Sequence, residues 1–260
     1  MCYILGRIFL CPVVHPEIPD AHKNKPRHTR KRDVNVMKLL FLGTGAADWL
    51  PDAKTQTGEF RRHSSALVDG TILIDPGAGV CDAIQEYHVD VSKIRYILVT
   101  HRHPDHFNEK TVDFLQQNGA ELIELSPGEQ VQLGKYTVLA VEGHHPVKTL
   151  HYFISDGNSR LFYALDGAWL LYDEIEAMKQ NPVDFAVLDG TIGFIKGDYR
   201  IFEHNSMDMI IHMKATLSRY IKQFCISHMS RGLHRSHTEL VEALKPHDII
   251  AAYDGWEAEF

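Results

Sequence analysis

Three histidines and an aspartate fall within six positions, His101-Arg102-His103-Pro104-Asp105-His106, directly after the apolar run Ile94-Arg95-Tyr96-Ile97-Leu98-Val99. Metal-type ligands at that density, at the end of an apolar run, predict a buried strand that delivers a site at its carboxyl end. The run is too short to span a membrane. His101 and His103 are two apart, so an extended chain points both rings to one side. A turn at Pro104 then presents Asp105 and His106 in another direction. Two directions of ligation predict two metal ions rather than one.

The composition of the rest of the chain is that of a soluble globular protein. Of its 260 residues, 44% are apolar and 23% charged, as in globular proteins; the outlier is histidine, with 17 copies. Cys2, Cys11, Cys81 and Cys225 show no CxxC spacing. They predict neither a disulfide framework nor a zinc ribbon, and a reducing, cytoplasmic setting is the default. Residues 1–36 carry seven basic and three acidic side chains, a net of +4; residues 37–260 carry twenty and thirty-one, a net of −11. An acidic body is a poor partner for a nucleic-acid backbone. Residues 1–36 combine an interrupted apolar stretch with a basic run after it, the reverse of a secretory signal. They read as a poorly ordered basic extension, with the functional domain at 37–260.

Within that domain, strands are expected at 38–42 and in a hairpin of 65–68 and 71–74 around Asp69-Gly70, a strong turn signal. A helix follows Asp75-Pro76-Gly77 and runs to Tyr87. Asn108 caps a second helix to Gln117. Strand-like stretches fall near 121–125, 130–133, 136–142, 149–155 and 160–165, a helix near 170–179, and a buried strand at 185–188. Ser206 opens an amphipathic helix with Met209, Ile210, Met213, Leu217 and Ile221 at near-helical spacing. A strand at 224–227, a helix at 237–244 and strands at 248–253 and 256–260 complete the chain. The order suggests two sheets packed face to face with helices outside.

His101-x-His103-x-Asp105-His106 after a buried strand resembles the central signature of the metallo-β-lactamase superfamily of metal-dependent hydrolases. Four further elements lie in the order that resemblance expects: Asp75 at the strand end before the motif, His145 after a later strand, Asp166 ending Leu161–Leu165, and His228 ending 224–227. The resemblance covers residues 37–260. It implies an α+β fold, an αββα four-layer sandwich of two mixed sheets with helices on the outer faces. It implies two divalent ions, zinc foremost with manganese or iron as alternatives. His101, His103 and His145 would hold one ion; Asp105, His106 and His228 the other; Asp166 would bridge both. Asp75 would orient a ligand histidine, and a hydroxide between the ions would be the nucleophile.

The spacing of His145 and Tyr152, and His204-Asn205-Ser206 at a helix start, resemble the phosphodiesterases of the carbon–phosphorus lyase pathway and the tRNA 3′-processing nucleases. The carboxyl-terminal Tyr253-Asp254-Gly255-Trp256-Glu257 does too. That implies catalytic roles for His204 as general acid and for Asp105 and Asp75 around the metals. The expected function is hydrolysis of a small cyclic phosphate or nucleotide-like phosphodiester. The alternatives are a lactonase or thioesterase of the same fold, or a tRNA 3′-processing type of nuclease. The expected partner is a small phosphodiester; nucleic acid and membrane are not expected, and a homodimer is left open. The chain departs from these groups in three ways. It has no cysteine between Cys11 and Cys81 for a structural zinc site, His151 stands where glycine usually precedes the tyrosine, and no insertion is long enough for an RNA-gripping arm.

Some residues stay open between two readings. His144 competes with its neighbour His145 as ligand. His63, after Arg61-Arg62, either meets an anionic substrate or sits on a surface loop. Arg231, His234 and His237 read as solvated loop residues, His212 and His247 as surface. Trp49, Cys81 and Cys225 read as packing residues.

Overall fold

The computed structural model describes residues 36–50 and 59–260. The expected 1–36 extension therefore lies outside the described residues, apart from its last position. These described residues form one compact unit. Its strands are β1 (Lys38–Gly43), β2 (Ser65–Val68), β3 (Ile72–Ile74), β4 (Tyr96–Leu98), β5 (Glu121–Leu122), β6 (Gln130–Leu133), β7 (Tyr136–Gly143), β8 (Thr149–Ser155), β9 (Arg160–Ala164), β10 (Val183–Asp189), β11 (Ile221–Ser227), β12 (Ile249–Ala251) and β13 (Glu257–Glu259). Five helices are described: α1 (Val80–Glu86), α2 (Glu109–Gln117), α3 (Tyr172–Gln180), α4 (Met207–Leu217) and α5 (His237–Leu244).

Two mixed sheets result. One has the order β13-β1-β2-β3-β4-β5, the other β12-β11-β10-β9-β8-β7-β6. In the second sheet β9 to β12 run parallel while β6 to β9 run antiparallel. The two-residue side-chain period of a strand divides the apolar side chains among three layers. On β9, Leu161 and Tyr163 face the core between the sheets, with Phe41, Ile74, Leu98, Tyr152 and Val187. Phe162 and Ala164 face the other way, against Met178 of α3 and Met207, Ile210 and Met213 of α4. Leu42, Leu67, Leu73 and Ile97 of the first sheet pack on Val80, Ala83 and Ile84 of α1 and Val112 and Leu115 of α2. The layers are thus α, β, β, α. Phe162 is fully buried and stacks on Phe153 at 4.4 Å. Phe162→Ala should therefore destabilise the protein by about 3–5 kcal/mol, read as a lower midpoint in a urea titration at unchanged slope.

One element ends earlier than its periodicity suggests. Ile221 does not continue α4 but opens β11, paired with Val183. The helix closes on Ser218, whose amide donates to Lys214 O, and Tyr220 N donates to Leu217 O, turning the chain into the sheet. A buried Ile is compatible with either element, so its spacing alone did not decide. No helix among the described residues is long and apolar enough to cross a membrane.

A candidate metal centre at the strand ends

Five strands end at one place. β3 is followed by Asp75, β4 by Thr100 and the His101–His106 segment, β9 by Asp166, and β11 by His228; β10 ends on Asp189. Asp75, Asp166 and His228 all have positive φ, 61°, 54° and 60°. Left-handed backbone recurs at non-glycine turns elsewhere, at Asp69, His88 and Asp248, but three of the seven described instances fall on residues of this one cluster.

The structure brings the sequence-predicted residues together in two adjoining groups. His101, His103 and His145 have ligand atoms within 4.8 Å of one another, as do Asp105, His106 and His228. Asp166 lies between. Its Oδ2 is 2.6 Å from His106 Nε2 and 3.0 Å from His228 Nε2, and its Oδ1 is 3.9 Å from His145 Nε2. His145 rather than His144 enters the cluster. His144 is exposed, with its Nδ1 3.2 Å from Ala168 O.

The outward nitrogens of four histidines explain what the inward ones can do. His106 Nδ1 donates to Asp75 Oδ2 at 2.8 Å. Asp75 also accepts from Thr100 N and Oγ1. Since Thr100 Oγ1 gives its proton to Asp75, it accepts from His101 Nδ1 at 3.1 Å. Thr191 Oγ1 donates to His228 O and so accepts from His228 Nδ1 at 2.8 Å. His145 Nδ1 donates to Glu203 O at 3.2 Å. In each case the remaining nitrogen is the one turned inward, where it can take a proton or a metal, the arrangement by which a protein orients a ligand histidine.

The donor set fits divalent metal. Asp166 Oδ2 is buried against two ring nitrogens and has no neutral hydrogen-bond donor of its own, so its charge must be met by protons on those rings or by a cation. His106 Nε2 lies 3.2 Å from His228 Nε2 and 3.3 Å from Asp105 Oδ2. Donors around one tetrahedral ion with bonds of about 2.0 Å stand about 3.3 Å apart. Acceptors crowded this closely repel unless a cation or protons lie among them. The titration behaviour divides the cluster. Burial holds His101 down at about 3, and neighbouring His106 adds to this. Burial also lowers His145. For His228 burial acts downwards too, but the carboxylates of Asp166, Asp105 and Asp189 outweigh it and push the group up to about 10. Asp166 is held well below the usual carboxylate range by His228 and His106, against the effect of its burial.

His204 stands beside this cluster with 13% of its side chain exposed. Its Nδ1 donates to Asp189 Oδ2 at 2.8 Å and lies 3.7 Å from Asp166 Oδ1. Burial lowers its pKa, but the Asp189 carboxylate outweighs that and raises it. Asp189 is fully buried, and its Oδ1 accepts from Thr191 N and Asn205 N, which pins the turn carrying His204. Asp189 and Thr191 were not singled out from the sequence. A signal was present: Leu165-Asp166-Gly167 and Leu188-Asp189-Gly190 are the same tripeptide at the ends of neighbouring parallel strands.

The remaining candidates divide. His63 is half-buried; its Nε2 is buried without a hydrogen-bond partner and feels the charges of Asp105, His106 and His228. Its buried edge is therefore near enough to the centre to feel its charge. Two residues read as solvated are engaged instead. His234 Nε2 donates to Gly190 O at 2.6 Å, and His237 Nδ1 accepts from Arg61 Nη2 at 3.0 Å. Both partners are distant in sequence, so spacing could not reveal them. Trp49 is buried and donates from Nε1 to Met229 O at 2.8 Å. A cleft of about 430 Å³ opens beside His101 and His103, with Leu122, Val147 and Lys148 on its walls.

A family model described as anti-Pycsar protein Apyc1 matches residues 37–109. A ribonuclease Z from Methanopyrus kandleri is 29% identical over 145 residues, 45% of this chain and 49% of the relative. The match thus spans about half of that relative's length. Among solved structures, the metallo-β-lactamase fold protein YhfI from Bacillus subtilis superposes with a TM-score of 0.68 at 15% identity, covering 87% of this chain and all of the other. A diphosphatase of the PhnP family gives a TM-score of 0.66 at 21% identity, over 86% and 98% of the two chains. With its two mixed sheets between helical layers, this chain has the metallo-β-lactamase fold.

Proposed function

We propose that the protein is a dinuclear metal-dependent hydrolase of phosphodiesters, with a small cyclic phosphate or nucleotide-like diester as substrate. The observation that carries this reading is the His204–Asp189 pair beside the donor cluster. Hydrolysis of a diester needs a proton for the leaving oxygen. An imidazole whose Nδ1–H is held by a buried carboxylate is kept protonated and oriented for that task. Names of relatives point the same way, one a diphosphatase and one a ribonuclease. His101, His103 and His145 would hold one ion, and Asp105, His106 and His228 the other, with Asp166 shared. Divalent ions there, zinc foremost, would lower the pKa of bound water and offset the charge of the phosphate.

The chain's own residues then have distinct tasks. Asp75 keeps His106 in the tautomer that presents Nε2. Thr191 does the same for His228. Asp105 and Asp166 supply the negative charge that two dications require. His204 gives the proton on Nε2 to the leaving oxygen as the P–O bond breaks, while Asp189 stabilises the ring's charge before transfer. His63 Nε2 supplies a further donor towards an anionic substrate. Histidine donors beyond the ligands suit a phosphodiester better than a lactone or thioester, which tolerate an apolar pocket.

The ribonuclease Z relative favours RNA as a second reading, against which stands the net charge of −11 over residues 37–260. The test is metal analysis of the purified protein, with an assay against linear and cyclic phosphodiesters, RNA, lactones and thioesters. Two ions per chain and turnover confined to small phosphodiesters are the expected result. Turnover of lactones alone would sink the phosphodiester assignment.

A further inference from the structure

His151 and Glu174 form a buried pair that the chemistry above does not use. His151 lies on β8 and is 1% exposed; Glu174 lies in the first turn of α3 and is fully buried. His151 Nδ1 is 2.5 Å from Glu174 Oε1, and His151 Nε2 is 3.1 Å from Leu165 O. Both partners are acceptors, so both ring nitrogens act as donors. Glu174 Oε2 accepts in turn from Leu171 N at 2.5 Å, tying the pair to the start of the helix. A buried charged pair is weak evidence for stability, because apolar side chains of similar volume often serve as well. Its placement suggests another purpose.

The ring is wedged between two turns. A Cβ built on Gly143 would lie 2.5 Å from His151 Nε2, and one built on Gly167 would lie 2.8 Å from Cε1. Gly143 ends β7 just before His144-His145, and Gly167 directly follows Asp166. The same two turns are joined by Ala168 N donating to His144 O at 3.0 Å. On its other side the 166–169 turn is held by Asn205, which donates to Gly167 O and accepts from Trp169 N. Asp166 and Trp169 both have positive φ, so this turn needs holding.

We propose that His151 and Glu174 are positioning residues, which set the separation of the turn bearing His145 from the turn bearing Asp166 and thereby the metal affinity of the centre. The inference rests on the metal reading above. It reaches past the ligands and their immediate partners to a pair that touches neither ion nor substrate.

The test compares wild type with Glu174→Gln, His151→Phe and His151→Gln. Zinc affinity is read by competition with a chromophoric chelator, and folding of the metal-free proteins by thermal melting. Glu174→Gln keeps shape and removes charge. His151→Phe keeps bulk and removes both hydrogen bonds. His151→Gln keeps an N–H that can reach Leu165 O. Folded Glu174→Gln and His151→Phe proteins should bind zinc about tenfold or more weakly, with part of the loss recovered in His151→Gln. Zinc affinities within twofold of wild type in the folded variants would overturn the proposal. Failure of all three to fold would also overturn it, assigning the pair to fold stability. A wild type that binds no zinc would instead sink the metal reading itself, and this inference with it.

Discussion

Asp166→Ala should leave a folded protein that holds fewer than two ions and turns over on the order of 10³-fold more slowly or worse. The expectation follows from the position of the carboxylate. One oxygen lies against His106 and His228 and the other faces His145 and His204. No other described side chain reaches both halves of the cluster in this way. Its removal also takes one negative charge from a site meant to hold two dications. Asp166→Asn keeps the volume and separates the two effects: an amide retains the packing but offers one neutral oxygen in place of two anionic ones. Both variants should lose metal and activity together, with plasma mass spectrometry and the hydrolysis assay as paired measurements. Full metal content with normal turnover in either would remove Asp166 from the centre.

Stripping the metal should make stability depend on alkali. In the metal-free protein His228 is raised to about 10 and His106 is raised as well, both by buried carboxylates. A raised folded-state pKa gives stability that is fully present below the unfolded value of about 6.5 and is lost as pH rises through the folded value. Chelator-treated protein should therefore melt progressively lower between about pH 7 and pH 10. Metal-loaded protein should change less, because a metal replaces the protons that the ring nitrogens would otherwise carry. Equal slopes for the two forms would contradict this account.

What the sequence revealed and what it hid have a common physical cause. Strand ends marked by a local pattern were legible: His101 to His106 is six consecutive positions, and Asp75 and Asp166 each follow an apolar run. Strand β6, strand β8 and helix α5 have the bounds that alternation and capping suggest. Partners that meet only through the fold were not legible. Asp189 reaches His204 across a 14-residue loop, Arg61 reaches His237 from the other end of the chain, and Glu174 reaches His151 from a helix. Each is one residue of an ordinary type with no periodicity around it. His63 shows the same limit from the other side. Its placement near Asp105 and His228 depends on Gly45 bridging to both His63 and Met229, a contact between loops that local pattern does not encode.

His204→Ala should spare metal and slow turnover by about 10²–10⁴-fold, the range of general acid catalysis. His204 is not among the seven proposed ligands, and its Nδ1 is committed to Asp189 rather than to the cluster. Metal content should stay within error of wild type. The loss should depend on the substrate: a diester with a good leaving group, such as a nitrophenolate, needs little protonation and should suffer least. Asp189→Asn tests the same step at one remove. Burial alone would lower the pKa of His204, and the Asp189 carboxylate reverses that. Without the carboxylate the imidazolium is less stable, so the basic limb of the pH–rate profile should move to lower pH. His204→Ala then removes that limb altogether. A His204→Ala enzyme with unchanged turnover on poor and good leaving groups alike would take the acid away from His204. Loss of metal in that variant would instead make His204 a ligand, as its grouping with Asp166, Asp189 and His228 permits.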